Sequence, residues 1–349
     1  MTPASTADHA LGFPLGEQLP AAGSCLQVAD GVYWLRMPLP FALDHINLWL
    51  LRDGEGWTIV DTGYGKPATR ELWEQVFEHS LAGRPVTRVL LTHNHPDHIG
   101  NADWLAQRWN APVWASEGEF LQAHLVWHDL AGFNKTHMVE QYRAHGVDEA
   151  LLQLLATRGN SYRWGVPSLP ATFRRIMPHS VVEIDGCDWH VIVGYGHSPE
   201  HIALYCEQKG VLISGDMLLP TISTNVGVWA TEPDGDPLKA FLSSIRHFLP
   251  LPADTLVLPS HGRPFTGIHA RVAALEAHHA DRLGVLRQFC AAPRLAIDTL
   301  QVLFGRELDA YQLFFAMGEA IAHLNHLMHR GQLVRETGAD GRHRFRTAG

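Results

Sequence analysis

The sequence has little of what marks a small cross-linked protein or a membrane protein. Its 349 residues include 4 cysteines, which are far apart and form no Cys-x-x-Cys pair. This spacing excludes a disulfide framework and a cysteine-rich zinc site. No segment approaches the roughly 18 apolar residues of a membrane span, and Met1 to Cys25 lacks the basic and apolar regions of a signal peptide. We therefore expect a soluble, cytoplasmic protein without a membrane partner.

Positive charge is also scarce. The chain has 27 lysines and arginines against 36 aspartates and glutamates, a net charge of −9. This balance disfavours a nucleic-acid partner, because affinity for a phosphate backbone depends on cationic side chains. Histidine, in contrast, is abundant, with 23 residues. Because imidazole is the commonest metal ligand in proteins, the spacing of these histidines bears directly on function.

The pattern of apolar residues predicts a layered α/β protein. Short β-branched and aromatic runs alternate with helical stretches, and a long segment at about 117–177 interrupts them. This segment has helical periodicity and many aromatic residues, so we expect a helical insertion that covers the core as a lid. The predicted strands lie at 31–35, 46–51, 57–60, 86–91, 112–115, 181–194, 202–206, 211–214 and 255–258, and helices at 68–81 and 101–109.

The end of the chain has a different pattern. Apolar residues from Leu313 to Met328 follow one face of an amphipathic helix, and residues 332–345 fit a small hairpin. A helix, a second helix and a hairpin resemble a winged-helix unit. We expect a catalytic domain over 1–285 and a small C-terminal domain over 286–349. On the helix, His323 and His326 share a face but no third ligand accompanies them, so we expect these two and His329 on its surface.

The segment Thr92–Gly100 contains the densest set of metal-binding side chains. His93, His95, Asp97 and His98 lie within six residues, directly after an apolar strand. A loop at a strand end can turn successive side chains toward one point. Imidazole and carboxylate together suit Zn²⁺, with Mn²⁺ or Fe²⁺ as alternatives. A solvated histidine-rich turn is the simpler interpretation, but the strand and the Asp-His pair argue against it.

Further polar residues follow other predicted strands in the same way, each beside a glycine. These residues are Asp61, His197, Asp216 and His261. A single histidine or aspartate at a strand end is usually a turn residue, but these four strand ends and the strand end before His93 make five, which predicts one shared face. His201, four residues beyond His197, is expected either to support a ligand or to begin a strand, and not to be a ligand itself.

The run His93-x-His95-x-Asp97-His98, followed by His197, Asp216 and His261, resembles the signature of the metallo-β-lactamase superfamily. The resemblance covers about residues 28–265. It implies an αββα sandwich with two divalent metal ions at one edge. By this resemblance His93, His95 and His197 hold the first ion, Asp97, His98 and His261 hold the second, Asp216 bridges both, and Asp61 orients a ligand. Asp97, Asp216 and Asp61 are the expected catalytic carboxylates.

Two such ions, with Zn²⁺ expected first, can acidify a bridging hydroxide and polarise the bond it attacks. A bridging aspartate such as Asp216 resembles the site of hydrolases of thioesters, esters, lactones and phosphodiesters more than that of true β-lactamases, so β-lactamase activity is expected to be weak at most. The segment 215–225 is similar to the glyoxalase II-like group. Two alternatives stay open: a phosphodiesterase or endoribonuclease of the β-lactamase-like-2 type, whose C-terminal unit is similar, and a mononuclear iron persulfide dioxygenase.

The substrate is expected to be a small molecule selected by the insertion. Arg174 and Arg175 are candidates to hold a carboxylate or phosphate, and Tyr195 and Asn225 to contact the substrate near the metal ions. Several aromatic residues of the insertion, including Tyr142 and Tyr162, fit either a substrate pocket or simple packing. A homodimer is one option that the sequence leaves open.

Overall fold

The computed structural model describes residues 11–130, 132–157 and 159–348, with side chains at all of these except Ala310 and Tyr311. Residues 1–10, part of the N-terminal segment considered above, lie outside this description. The described residues form three sheets. The first has the strands β1 (Leu26–Ala29), β2 (Val32–Pro38), β3 (His45–Asp53), β4 (Gly56–Val60), β5 (Val86–Leu90), β6 (Val113–Ala115) and β7 (Arg174–Arg175), in that order.

The second sheet has five strands in the described chain. They are β8 (Val181–Ile184), β9 (Cys187–Gly194), β10 (His201–Cys206), β11 (Val211–Gly215) and β12 (Leu256–Pro259). Their order in the sheet runs backwards along the sequence, from β12 to β8. β4 and β5 pair in parallel in the first sheet, as β11 and β12 do in the second. The ends of such neighbouring parallel strands meet at one edge.

The two sheets pack face to face around a core of aromatic and branched residues. Trp34 and Trp49 of the first sheet and Trp189 of the second are buried in this layer. Because helices cover the outer faces as well, β4 and β10 are buried along their whole length and lack the polar alternation of a half-exposed strand. The predicted αββα sandwich is therefore confirmed.

Helices form the two outer layers. On the first sheet lie α1 (Pro67–His79), which starts with proline and buries Trp73 and Phe77, and α3 (Ala102–Trp109). On the second sheet lie α8 (Pro237–Ile245) and α9 (Ile268–Phe289). The short helix α2 (Pro96–Ile99) connects β5 to α3.

The described residues of the insertion form four helices and the edge strand β7. Its helices are α4 (Glu117–Trp127), α5 (Lys135–Ala144), α6 (Glu149–Thr157) and α7 (Tyr162–Gly165). Tyr142 on α5 is buried, and its hydroxyl donates a hydrogen bond to the carbonyl of Phe314, 2.8 Å away. The insertion is therefore packed against the C-terminal helices as well as the first sheet.

The C-terminal part contains α10 (Ala296–Phe304), α11 (Ala310–His329) and a hairpin of β13 (Leu333–Thr337) and β14 (His343–Thr347). The predicted order of two helices and a hairpin is confirmed. The predicted boundary at 285/286 lies inside α9, which continues without a break from the sandwich to the C-terminal part. No flexible linker separates the two there.

The prediction of surface positions for His323 and His326 is wrong. Both are buried, because α11 is covered by α8, α9 and α10. His326 Nδ1 lies 2.9 Å from a carboxylate oxygen of Asp236, and His323 Nε2 accepts from His279 Nδ1 at 3.1 Å. His329 is exposed, as expected. Spacing along one helix cannot reveal which partners cover it.

Across the described part of the chain, no helix is both long enough and apolar enough to cross a membrane.

Candidate metal centre

Five strand ends bring polar side chains to one edge of the sandwich. Asp61 follows β4 directly, and the segment from His93 to His98 follows β5. On the second sheet, His197 follows β9, Asp216 follows β11 and His261 follows β12. Because the paired strands end side by side, these loops converge, and the seven predicted metal ligands form two neighbouring clusters.

The first cluster contains His93, His95, His197 and Asp216. His93 Nε2 lies 2.9 Å from His95 Nδ1 and 3.2 Å from His197 Nε2. Asp216 Oδ2 is 3.3 Å from His197 Nε2 and 4.0 Å from His93 Nε2. Tetrahedral zinc with bonds of about 2.0–2.1 Å to nitrogen places its ligand atoms about 3.3 Å apart. The cluster therefore fits a tetrahedral ion.

The second cluster contains Asp97, His98 and His261, and it also faces Asp216. His261 Nε2 lies 3.4 Å from Asp97 Oδ2 and 3.6 Å from Asp216 Oδ1. His98 Nε2 is 3.8 Å from Asp97 Oδ2. Asp216 thus turns Oδ2 toward the first cluster and Oδ1 toward the second, as a bridging carboxylate would.

Two buried atoms at the centre lack hydrogen-bond partners. His98 Nε2 and Asp216 Oδ1 are both inaccessible to solvent, and neither makes a hydrogen bond within the described residues. An unpaired buried polar atom is costly, so its presence requires a reason. A cation between the two atoms would satisfy both, which supports a metal ion at the second cluster.

In His197 and His261, the ring nitrogen that points away from the clusters, Nδ1, makes a hydrogen bond to a backbone carbonyl. His197 Nδ1 donates to the carbonyl of Asn225 at 2.7 Å, and His261 Nδ1 donates to the carbonyl of His45 at 2.9 Å. In the neutral form of each ring, Nε2 therefore has a lone pair available for a metal ion. Bonds of this kind fix the tautomer and raise the basicity of a ligand.

Asp61 orients candidate ligands of both clusters within the loop after β5. Its Oδ1 accepts from the Thr92 backbone N–H at 2.8 Å, and its Oδ2 accepts from the Thr92 hydroxyl and from His98 Nδ1, each at 2.8 Å. Since the hydroxyl hydrogen of Thr92 points to Asp61, its oxygen is free to accept from His93 Nδ1, 3.0 Å away. Asp61 has a positive φ of 60°, an uncommon conformation for a residue other than glycine.

When no metal is bound, the pKa values of His93 and His95 in the first cluster differ strongly from that of His98 in the second. Burial lowers the pKa of His93 well below its usual value and that of His95 to about 3. Burial acts in the same direction on His98, but the carboxylates of Asp61, Asp97 and Asp216 outweigh it and raise the pKa of His98 to about 10. His93 and His95 of the first cluster are therefore neutral imidazoles, whereas His98 carries a proton that a metal ion would displace.

His201 supports Asp216 from behind. Its Nε2 accepts the backbone N–H of Asp216 at 3.0 Å, and its ring is fully buried. Gly215 packs against this ring with a φ of 55°, and a Cβ at that position would collide with the imidazole. The glycine before the aspartate is therefore required by space as well as by backbone conformation.

The four candidate substrate residues are not gathered in one cluster as the candidate metal ligands are. Arg175 forms an ion pair with Glu117 at 2.8 Å, and the Arg174 guanidinium lies over the Trp114 ring at 5.6 Å. Tyr195 follows β9 with 39% of its side chain exposed. Asn225 is at the centre, but the contact it makes to a ligand is through its carbonyl oxygen.

Several residues of the site were not predicted from the sequence. They include Thr92, His45 and Glu119, whose contacts with the ligand loops are hydrogen bonds across the fold. Thr92 is next to the histidine motif, which is a usable signal. His45 is 216 residues away from His261, whose ring it contacts, and Glu119 is 25 residues away from Asn94 in the first ligand loop. No spacing rule connects either pair.

Comparison with known families is consistent with this geometry. Residues 42–261 match the metallo-beta-lactamase superfamily. The chain belongs to this superfamily. Residues 283–348 match the metallo-beta-lactamase-like C-terminal domain, so the C-terminal part is also a recognised unit of such proteins.

Similar proteins cover nearly the whole chain. A crystal structure of a beta-lactamase domain protein from Burkholderia ambifaria is 48% identical with a TM-score of 0.92, covering 98% of this chain and 99% of that one. The probable metallo-hydrolase YqjP of Bacillus subtilis is 29% identical, covering 85% of this chain and 92% of YqjP. The hydroxyacylglutathione hydrolase GloC of Haemophilus influenzae is 26% identical, covering 50% of this chain and 68% of GloC. The coarse prediction of a metallo-hydrolase is supported.

Proposed function

We propose that the protein is a binuclear metal-dependent hydrolase that cleaves a thioester, ester or lactone bond of a small molecule. The observation that carries this proposal is the position of Asp216, whose two carboxylate oxygens face different ligand clusters. A single shared carboxylate between two complete sets of donors suits two ions rather than one. Zn²⁺ is the proposed ion, because imidazole and carboxylate at tetrahedral spacing suit it.

In this proposal each cluster holds one ion and Asp216 contacts both. The ligands of the first are His93, His95 and His197, and those of the second are Asp97, His98 and His261. When bound, the two ions would lower the pKa of a water molecule and polarise the bond under attack. Two divalent cations against two carboxylates leave a charge of +2, which favours the oxyanion that develops during hydrolysis.

The protein's own groups would orient the reactants. Burial opposes the ionisation of Asp97, but His98 and His261 outweigh it and lower the pKa of Asp97 to about 2. Asp97 is therefore ionised in the metal-free protein, and its carboxylate would be available to the second ion and as a hydrogen-bond acceptor for the attacking water. Asp61 keeps His98 in one orientation through the bond to Nδ1. Tyr195 remains the proposed contact to a substrate oxygen, since its exposed ring lies two residues before His197.

The substrate class rests on the similarity to GloC. The acyl group of a hydroxyacylglutathione is joined to sulfur as a thioester, and residues 215–225 of this chain resemble the glyoxalase II-like group. Arg174 already contacts Trp114, and Arg175 already pairs with Glu117. The two arginines therefore give weaker support to the proposed substrate class than the metal centre does. Esters and lactones are hydrolysed through the same kind of tetrahedral intermediate as thioesters, so they are the other substrate classes of the proposal.

A nucleic-acid substrate receives less support. Three arginines of the C-terminal hairpin form ion pairs with acidic neighbours instead of presenting free charge. Arg335 pairs with Asp234, Arg344 with Asp340 and Arg346 with Glu336. We therefore expect no strongly salt-dependent binding to RNA or DNA. Binding that weakens steeply between low and high salt would favour the endoribonuclease alternative.

The decisive experiment combines metal analysis with a substrate screen. Purified protein is analysed for bound metal and tested on thioesters, lactones, aryl esters and bis(p-nitrophenyl) phosphate. We expect two divalent ions per chain, and thioester or ester hydrolysis that a chelator abolishes and Zn²⁺ restores. One iron per chain with oxygen consumption would replace this proposal with the persulfide dioxygenase. Cleavage of the phosphodiester alone would replace it with a nuclease.

A further inference from the structure

A buried glutamate of the insertion makes four hydrogen bonds close to the metal centre. Glu119 lies in the first turn of α4, and 2% of the residue is exposed. Its Oε2 accepts from the backbone N–H of Asn94 at 2.9 Å and from Asn94 Nδ2 at 2.5 Å. Its Oε1 accepts from the Ser198 hydroxyl at 2.6 Å and from the backbone N–H of Glu200 at 2.8 Å. All four partners are donors, so an ionised carboxylate satisfies every one.

These partners belong to two different ligand loops. Asn94 lies between His93 and His95, and Ser198 directly follows His197. One loop follows β5 of the first sheet and the other follows β9 of the second. The three imidazoles of the first cluster therefore come from two sheets, and each oxygen of Glu119 is bonded to one of the two loops.

Other residues of the insertion strengthen the same connection. The hydroxyl of Tyr162, on α7, donates to the carbonyl of Asn94 at 2.5 Å. At the start of α4, the Gly118 backbone N–H donates to Glu200 Oε2 at 2.8 Å, and the Ser116 hydroxyl donates to the carbonyl of Glu200 at 2.9 Å. The insertion thus contacts the backbone of both ligand loops.

From this geometry we propose that Glu119 is a positioning residue for the first metal ion. It fixes the loop of His93 and His95 relative to the loop of His197, and it thereby makes the insertion a structural part of the metal centre. The inference rests on the proposed function, since it concerns the same ion. It predicts that the insertion determines metal affinity in addition to covering the substrate.

The substitution Glu119→Gln tests the connection with little change in shape. Each oxygen of Glu119 accepts one backbone N–H, from Asn94 on one side and from Glu200 on the other. Whichever way the glutamine amide turns, its NH₂ group faces one of these fixed donors, and one loop loses its acceptor. The neighbouring variants Ser198→Ala and Tyr162→Phe each remove one hydroxyl and test the same connection more gently.

Tyr142→Phe is the matched control. It also removes a buried hydrogen bond of the insertion, but the partner is the carbonyl of Phe314 in α11 rather than a ligand loop. For all variants, Zn²⁺ stoichiometry and affinity are measured by chelator competition, and unfolding temperatures are measured with and without Zn²⁺. We expect Glu119→Gln to bind one of the two ions about 10–100-fold more weakly, as for other residues that support metal ligands. Tyr142→Phe should lower the unfolding temperature and leave both affinities unchanged.

The results separate this inference from the proposed function. If the wild-type protein binds no Zn²⁺, the proposed function fails. If the wild type binds two ions and Glu119→Gln binds both with unchanged affinity, the positioning role of Glu119 is overturned while the proposed function stands. Should Glu119→Gln not fold, Ser198→Ala and Tyr162→Phe decide the question. Weaker binding of one ion in these two supports the role, and wild-type affinity in both overturns it.

Discussion

Asp216 Oδ1 lies 3.5 Å from His98 Nε2, and both atoms are buried without a hydrogen-bond partner among the described residues. The other oxygen of the same carboxylate faces His197 at 3.3 Å. A side chain that meets two clusters through two different oxygens is the feature most specific to a pair of ions. Loss of this carboxylate should therefore weaken the binding of both ions, whereas loss of a single imidazole should weaken the binding of one.

Asp216→Asn should reduce the metal content from two ions per chain to at most one and lower hydrolysis by more than about 100-fold, because removing a ligand costs more than removing a residue that supports one. The amide keeps the shape of the side chain but lacks the negative charge that both ions share. Elemental analysis and thioester hydrolysis measure the two effects. Asp188→Asn, at an exposed position of β9, is the control. Full activity with two ions in Asp216→Asn would refute the assignment.

Metal binding at the two clusters should depend differently on pH. In the metal-free protein, neighbouring carboxylates raise the pKa of His98 to about 10 and also raise that of His261, against the effect of burial. An ion entering the second cluster must displace these protons, so its affinity should rise about tenfold per pH unit for each proton released. Burial keeps the pKa of His95 at about 3, so that residue releases no proton above pH 5.

Chelator competition at pH 6, 7 and 8 measures both affinities. We expect the affinity of one ion to rise more steeply with pH than that of the other. Equal slopes for the two ions would contradict the charge difference between the clusters.

Asp61→Asn should weaken the second ion by about 10–100-fold, because His98 Nδ1 and the two donors of Thr92 lose a charged acceptor. Asparagine also tolerates a positive φ, so the backbone at this position should be preserved. Asp53→Asn is a matched control. Asp53 accepts from Thr58 and Thr87 in the same sheet and supports no ligand, so its loss should lower stability alone. Unchanged zinc affinity in Asp61→Asn would show that Asp61 does not orient His98.

The buried histidines between α9 and α11 should make the protein sensitive to acid. Burial lowers the pKa of His279 to about 2 and that of His323 to about 4, below the value of about 6.5 in an unfolded chain. The folded protein therefore binds fewer protons than the unfolded one at mildly acidic pH. This contribution to stability is complete above pH 6.5 and declines as the pH falls toward 4, by up to about 1.4 kcal/mol per pH unit for one histidine.

Urea unfolding of the metal-free protein at pH 7.5, 6.5 and 5.5 measures this effect. His279→Gln should lose less stability than the wild type between pH 6.5 and 5.5. His329→Gln changes an exposed histidine of α11 and should behave as the wild type does. An identical decline in all three proteins would show that His279 is not protonated on unfolding.

The sequence alone was sufficient for the local part of the site. His93, His95, Asp97 and His98 are separated by so few residues that the loop after β5 must place them near one another, whatever surrounds it. The strands were also predictable, because strands that are buried on both faces consist of continuous runs of apolar residues. The winged-helix likeness of the C-terminal part and the roles of the individual site residues stay predictions.

Only the tertiary structure decided which groups support the ligands and what the distant histidines do. The carbonyls of Asn225 and His45 are backbone atoms that any residue could provide, so no side-chain pattern marks them. Glu119 in sequence is an ordinary acidic residue in the first turn of a helix. It becomes a connection between two ligand loops because the insertion packs α4 against both. Likewise His323 is buried by α9, since the cover of a helix face depends on elements far away in the chain.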